Sequence, residues 1–119
     1  MFSLNFLKFK EWLESKEPEC IVGQAGKADA CPIINYLKSK DSSYASIYDK
    51  VYKRDYTSHG EDYEYTVIKE DVDCFTYDLI KKIDDIPRLK HKVWYFDDKL
   101  SALECLEVVD SILETVTTI

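Results

Sequence analysis

Apolar residues recur along the chain at spacings that switch between the period of a helix and that of a strand. Near the start, Phe2, Phe6, Phe9 and Leu13 fall at steps of four, three and four, with Trp12 beside the stripe and Lys8, Lys10, Glu11 and Glu14 on the other faces. This pattern predicts an amphipathic helix over about residues 3–16, capped by Ser3 and stopped before Pro18. A loop follows, with a short apolar touch at Cys20, Ile21 and Val22 and then Gly23 and Gly26. Cys31-Pro32 opens a second helix, because proline in the first turn forfeits no needed N–H; Ile33, Ile34 and Leu37 form its buried side, and it fades near Lys40.

Residues 44–56 fit both periods. Tyr44, Ile47, Tyr48, Val51 and Tyr52 match a helix, yet the tyrosine and β-branched content favours a strand. The strand-like run 63–68 beyond Ser58, His59 and Gly60 then suggests a hairpin. A third helix is predicted from the stripe Val72, Phe75, Leu79, Ile83 and Ile86, with Glu70, Asp71 and Asp73 at its start and Lys81 and Lys82 toward its end, as the helix dipole prefers. Pro87 ends it, and residues 93–96 read as a short buried strand. Ser101 and Glu104 form a capping box for a last helix, whose stripe runs from Ala102 through Cys105, Leu106, Val109, Ile112, Leu113 and Val116. The expected fold is α+β: about four helices on a small, mainly antiparallel sheet of about three strands, in a single domain spanning residues 1–119.

Composition narrows this picture without changing it. The chain has 119 residues, 45% of them apolar, with three glycines and three prolines, so collagenous, low-complexity and disordered readings fall away. No apolar run nears the roughly 18 residues of a membrane span, and the charged N-terminal stretch does not resemble a secretory signal. A cytoplasmic location is the resulting expectation. Reduced, structural thiols are the favoured reading of Cys20, Cys31, Cys74 and Cys105, and a Cys20–Cys31 disulfide is the competitor, since both flank one loop.

Charge is unevenly spread. The net charge is −7, of which residues 57–85 hold −6 and residues 100–119 hold −4, while 86–99 carry +2. An acidic surface repels phosphate backbones and argues against direct nucleic-acid binding.

Several residue groups invite chemistry. Gly23-Gln24-Ala25-Gly26-Lys27 lies between a strand-like pair and a helix, but a phosphate loop separates its glycines by four residues and follows lysine with Ser or Thr, whereas here they are separated by two and Ala28 follows. A glycine-bent connection explains the stretch better, leaving Gly23, Gly26 and Lys27 as a weaker anion site at the start of the second helix. His59 and His91 have no partner at metal-ligand spacing, so neither a metal nor a cofactor is expected. Acid pairs such as Asp84-Asp85 and Asp97-Asp98 read as solvated ends. Cys31 at a helix start is the candidate nucleophile, because a helix dipole lowers a thiol pKa; the competing reading is a partly buried capping thiol.

Tyrosine is the most unusual residue here, at nine copies. On one strand Tyr44, Tyr48, Tyr52 and Tyr56 would share a face opposite Ile47 and Val51, with Tyr63 and Tyr65 nearby, giving an interaction surface for a protein partner or for self-association as a homodimer. Coverage of both sheet faces within the monomer is the equal alternative.

Through Trp12-Leu13, Pro18, Val22-Gly23, Cys31-Pro32-Ile33 and Tyr36-Leu37, with Ser101-Ala102 and Leu106 near the end, the chain resembles a family of small uncharacterised bacterial proteins, several of them cyanobacterial. The resemblance covers mainly residues 9–38 and implies a cytoplasmic protein of bacterial or phage origin, with no activity or site residue to carry over. The sequence thus points first to a non-enzymatic interaction or regulatory module, an acidic inhibitor or adaptor. The alternative is a small enzyme or ligand-binding domain built on the 22–32 loop and Cys31.

Overall fold

The computed structural model describes residues 1–59, 62–87 and 99–117, with side chains for all of these except 55–59, 62–67 and 115–117. The elements follow in the order α1 (Phe6–Glu14), β1 (Ile21–Gln24), α2 (Pro32–Lys40), β2 (Tyr44–Ile47), β3 (Lys50–His59), β4 (Asp62–Asp71), α3 (Cys74–Asp84), β5 (Lys99–Ser101) and α4 (Ala102–Thr117). This is an α+β fold in which the strands divide between two antiparallel sheets, β1-β5 and β2-β3-β4. The expected strand at 93–96 lies outside the described residues.

The first helix is shorter than its stripe suggests. Phe2 forms a parallel bridge with Val72, so the chain is extended there, and Asn5 rather than Ser3 caps α1 by accepting the Lys8 N–H at 3.1 Å. Ser3 instead donates to Asp73 at 2.6 Å. Within the helix, Phe9 and Leu13 are fully buried, as the spacing requires. Strand β1 joins β5 with a register shift between Ile21 and Gly23, and α2 is tied to it by Asn35, whose Nδ2 donates to the Val22 carbonyl at 2.8 Å.

The stretch 44–56 is strand, but not one strand. The chain reverses at residues 48 and 49, where the Tyr48 N–H donates to the Lys50 carbonyl at 3.0 Å, and Ile47 pairs with Val51 across the turn. Strand β3 then pairs with β4 from Lys50↔Asp71 to His59↔Asp62. That is the predicted hairpin, lengthened to ten residues a side. Gly60 of its expected turn lies outside the described residues.

Helix α3 is rotated relative to its predicted stripe. Thr76, Leu79, Ile80 and Ile83 are its buried residues, whereas Phe75 is exposed and Val72 precedes the helix. Thr76 takes a core position because its hydroxyl is satisfied there, accepting the Leu4 N–H at 3.0 Å. The box at the start of α4 forms as expected: the Glu104 N–H donates to Ser101 Oγ at 3.3 Å and the Ser101 N–H to Glu104 Oε1 at 3.4 Å. One cluster of buried side chains joins α1, α2, α3, α4, β1, β5 and the β2–β3 turn. Among the described residues no helix is long and apolar enough to cross a membrane.

Candidate functional site

The 25–31 loop, the β2–β3 turn and the end of α3 enclose a cavity of about 420 Å³. The loop is placed by close packing. Gly23 sits where a Cβ would lie 2.5 Å from the Pro32 nitrogen, and Gly26 has φ +72°, a left-handed conformation natural to glycine. Two hydrogen bonds fix the loop to its neighbours, from the Ile47 N–H to the Ala28 carbonyl at 2.9 Å and from the Gly26 N–H to Asp84 Oδ1 at 2.9 Å.

That second bond bears on the anion-site expectation. Of its residues, Gly26 gives its N–H to the protein's own carboxylate, and Gly23 is buried against Pro32. Lys27 lines the cavity from an exposed position.

Cys31 also lines this cavity and caps α2, its sulfur accepting the Ile34 N–H at 3.5 Å. The thiol stands at a helix start as the sequence suggests, and its surroundings are those of the buried capping thiol rather than of the candidate nucleophile. Burial pushes the Cys31 thiol up to about 11, and the Ile34 N–H only partly offsets this. A thiol so held is protonated at neutral pH and is a poor nucleophile. All four cysteines are free: Cys20 and Cys74 are exposed, Cys31 and Cys105 buried, and no Cys20–Cys31 disulfide forms.

The tyrosines do not form the single face that one strand would have given. Tyr44 is half-buried on β2, edge-on to Phe2 with ring centroids 6.3 Å apart and with the Lys53 ammonium 4.4 Å from its ring centre. Tyr48 stands at the turn, edge-on to Tyr77 at 5.5 Å, and borders the cavity. Tyr52 lies on β3 opposite Ser46 and Lys69. Tyr56 and Tyr65 are register partners and Tyr63 pairs with Ser58, but the side chains of these three, like that of His59, lie outside the described residues, as does all of His91. No cluster of three or more potential metal ligands occurs among the described residues.

A second concavity escaped the sequence pattern. The starts of α1 and α3 and the later part of α4 enclose an apolar groove of about 440 Å³, lined by Leu4, Phe6, Ile112 and Leu113 and rimmed by Leu7 and Phe75. Leu7 and Phe75 are each 63% exposed. The signal for Leu7 was present, since it falls off the stripe of its helix. Phe75 was hidden by being read as part of one.

The chain matches no family model, no curated protein and no solved structure. Its chemistry is therefore read from its own residues.

Proposed function

We propose that this protein is a non-enzymatic interaction module, of an adaptor or inhibitor kind, that receives an amphipathic helix with basic flanks in the groove between α1, α3 and α4. The observation that carries the reading is the pair Leu7 and Phe75, two large apolar side chains exposed on the rim of one apolar groove. A solitary exposed leucine needs no explanation, whereas apolar residues gathered at a groove match the helix-in-groove mode of recognition.

Charge selects the occupant. The charged residues of α4 are Glu104, Glu107, Asp110 and Glu114, with no lysine or arginine, and Asp73 lines the groove. Lys10 offsets one of them, pairing with Asp110 at 2.8 Å. Two copies docking by this face would bring two acidic helices together, so a basic partner is favoured over self-association. The high pKa of the Cys31 thiol supports a binding role over a catalytic one.

Fluorescence anisotropy with a labelled Leu/Lys amphipathic peptide tests this, beside a Leu/Glu peptide of identical apolar face. Saturable binding of the basic peptide is expected, weakening with salt and falling at least about tenfold in the Leu7→Ser/Phe75→Ser variant, which removes the apolar rim without adding charge. Both side chains are exposed and both positions lie in the first turn of a helix, so the fold is retained. Equal binding of the two peptides, or an unaffected variant, overturns the reading.

A further inference from the structure

Helix α3 ends by presenting a carboxylate to an apolar cavity. Asp84, its last residue, is half-buried, and the bond from Gly26 to Oδ1 is its only hydrogen bond among the described residues. A carboxylate offers about four acceptor positions, so among the described residues Oδ2 is left without a donor. Ala28, Ile47 and Ile80 wall the same space. The ring of Tyr48 stands at its side, edge-on to Tyr77.

The local field favours a cation. Backbone carbonyls at the end of α3 add partial negative charge to that of Asp84, and Asp85 follows as the C-cap. At the opposing helix start the Ile33 N–H, like that of Ile34, acts on the Cys31 sulfur. Residue 32 is proline, and the Ile34 N–H is turned onto the Cys31 sulfur. Burial and the neighbouring Asp85 both raise the pKa of Asp84, and the Gly26 N–H lowers it; Lys27 is not among the groups that act on it. Lys27 is an exposed cation whose head can remain in water. This tyrosine pair already accepts an ammonium, since Lys81 Nζ lies 4.5 Å from the centre of the Tyr77 ring.

We propose that the cavity binds an alkylammonium group, the charged head on Asp84 beside the Tyr48 ring and the alkyl stem against Ile47 and Ile80. A cavity of about 420 Å³ suits a small amine or one inserted lysine side chain. The inference is independent of the groove, which lies at the other end of α3 and shares no lining residue with the cavity.

The test follows the backbone amides of the full chain by NMR during titration with n-butylammonium, with n-butanol of equal stem length, and with an acetylated, amidated Gly-Lys-Gly peptide. Butylammonium should shift the Gly26 and Ile80 amides saturably, with butanol at least about tenfold weaker. Asp84→Asn keeps an acceptor for the Gly26 N–H and should abolish that preference. Lys27→Ala, which removes an exposed cation from the cavity lining, should leave the preference for butylammonium over butanol intact. Tighter binding of the peptide identifies a partner's lysine as the source of the group, and tighter binding of butylammonium identifies a free amine; both support the site. Equal shifts by amine and alcohol, retained preference in Asp84→Asn, or shifts confined to exposed acids such as Asp49 overturn it.

Discussion

A methyl group on residue 23 would have nowhere to go. It would lie 2.5 Å from the Pro32 nitrogen, 2.7 Å from Pro32 Cδ and 2.8 Å from the Ala30 carbonyl oxygen, and two of these three are backbone atoms that cannot swing aside. Gly26, three residues on, has open space around its Cα and needs glycine only for its positive φ. The two glycines that suggest an anion loop are thus required for different reasons, close approach at one and backbone angle at the other. Gly23→Ala should destabilise the fold by about 1–3 kcal/mol, the usual cost of overpacking. Gly26→Asn should be much milder, because asparagine visits the left-handed region. Urea denaturation of both variants measures the difference, and a Gly23→Ala midpoint equal to wild type would contradict the packing at Pro32.

At the scale of elements, caps and stripes decide where helices begin and which way they face. Ser101 ends β5 and, through its hydroxyl, caps α4. Ser101→Ala should therefore cost about 1 kcal/mol, a typical loss for an N-cap, and quicken hydrogen exchange at the Glu104 amide while the core amides of α3 stay protected. That cap was legible because a capping box is local. The buried sides of α1, α2 and α4 were legible for the same reason, since Phe9, Ile33, Ile34 and Val109 repeat at helical spacing and are buried. What the sequence concealed depends on contacts distant along the chain. The turn at residues 48 and 49 carries neither glycine nor proline, so tyrosines spaced every four residues read as one continuous strand. Thr76 looked polar and Phe75 looked like core. The Leu4 N–H, 72 residues away, bonds the threonine hydroxyl inside, and the phenylalanine is left on the surface. The groove therefore could not be read from periodicity, whereas the 22–32 loop could be located, though its chemistry depended on Asp84 arriving from α3.

Across the whole molecule, a buried interior and a ring of local acid bonds set opposite limits on pH. Burial lifts Cys31 from its ordinary 9.0 to about 11, and burial lifts Cys105 to about 12. The folded chain then holds protons that the unfolded chain has released, so the stability these thiols contribute is complete below pH 9 and is lost as pH rises toward 11 and 12. Acids act in the reverse sense. Burial alone would raise Asp73, but bonds from Ser3 and Thr76 outweigh it and hold the carboxyl below 3.8. Ser43 does the same for Asp41, and Lys50 for Asp71. Their contributions are present above pH 3.8 and are lost as pH falls through the lower folded values. Asp84 has the opposite sign, since burial raises it above 3.8, and its contribution is lost as pH rises through that folded value. Among the described residues three carboxyls are lowered and one is raised, so the acid limb is expected to fall. Urea midpoints at constant salt should accordingly form a plateau near neutrality, dropping below about pH 4 and above about pH 9. Asp73→Asn should make the acid limb shallower. Cys31→Ser with Cys105→Ala, which keeps an oxygen acceptor at the α2 cap, should flatten the alkaline limb even though the lost sulfur lowers the whole curve. An alkaline limb as steep as before in that variant would assign the decline to Tyr48, raised through its contact with Tyr77, and to the ion-paired amines of Met1, Lys10, Lys50 and Lys53, and would remove the two thiols from the explanation.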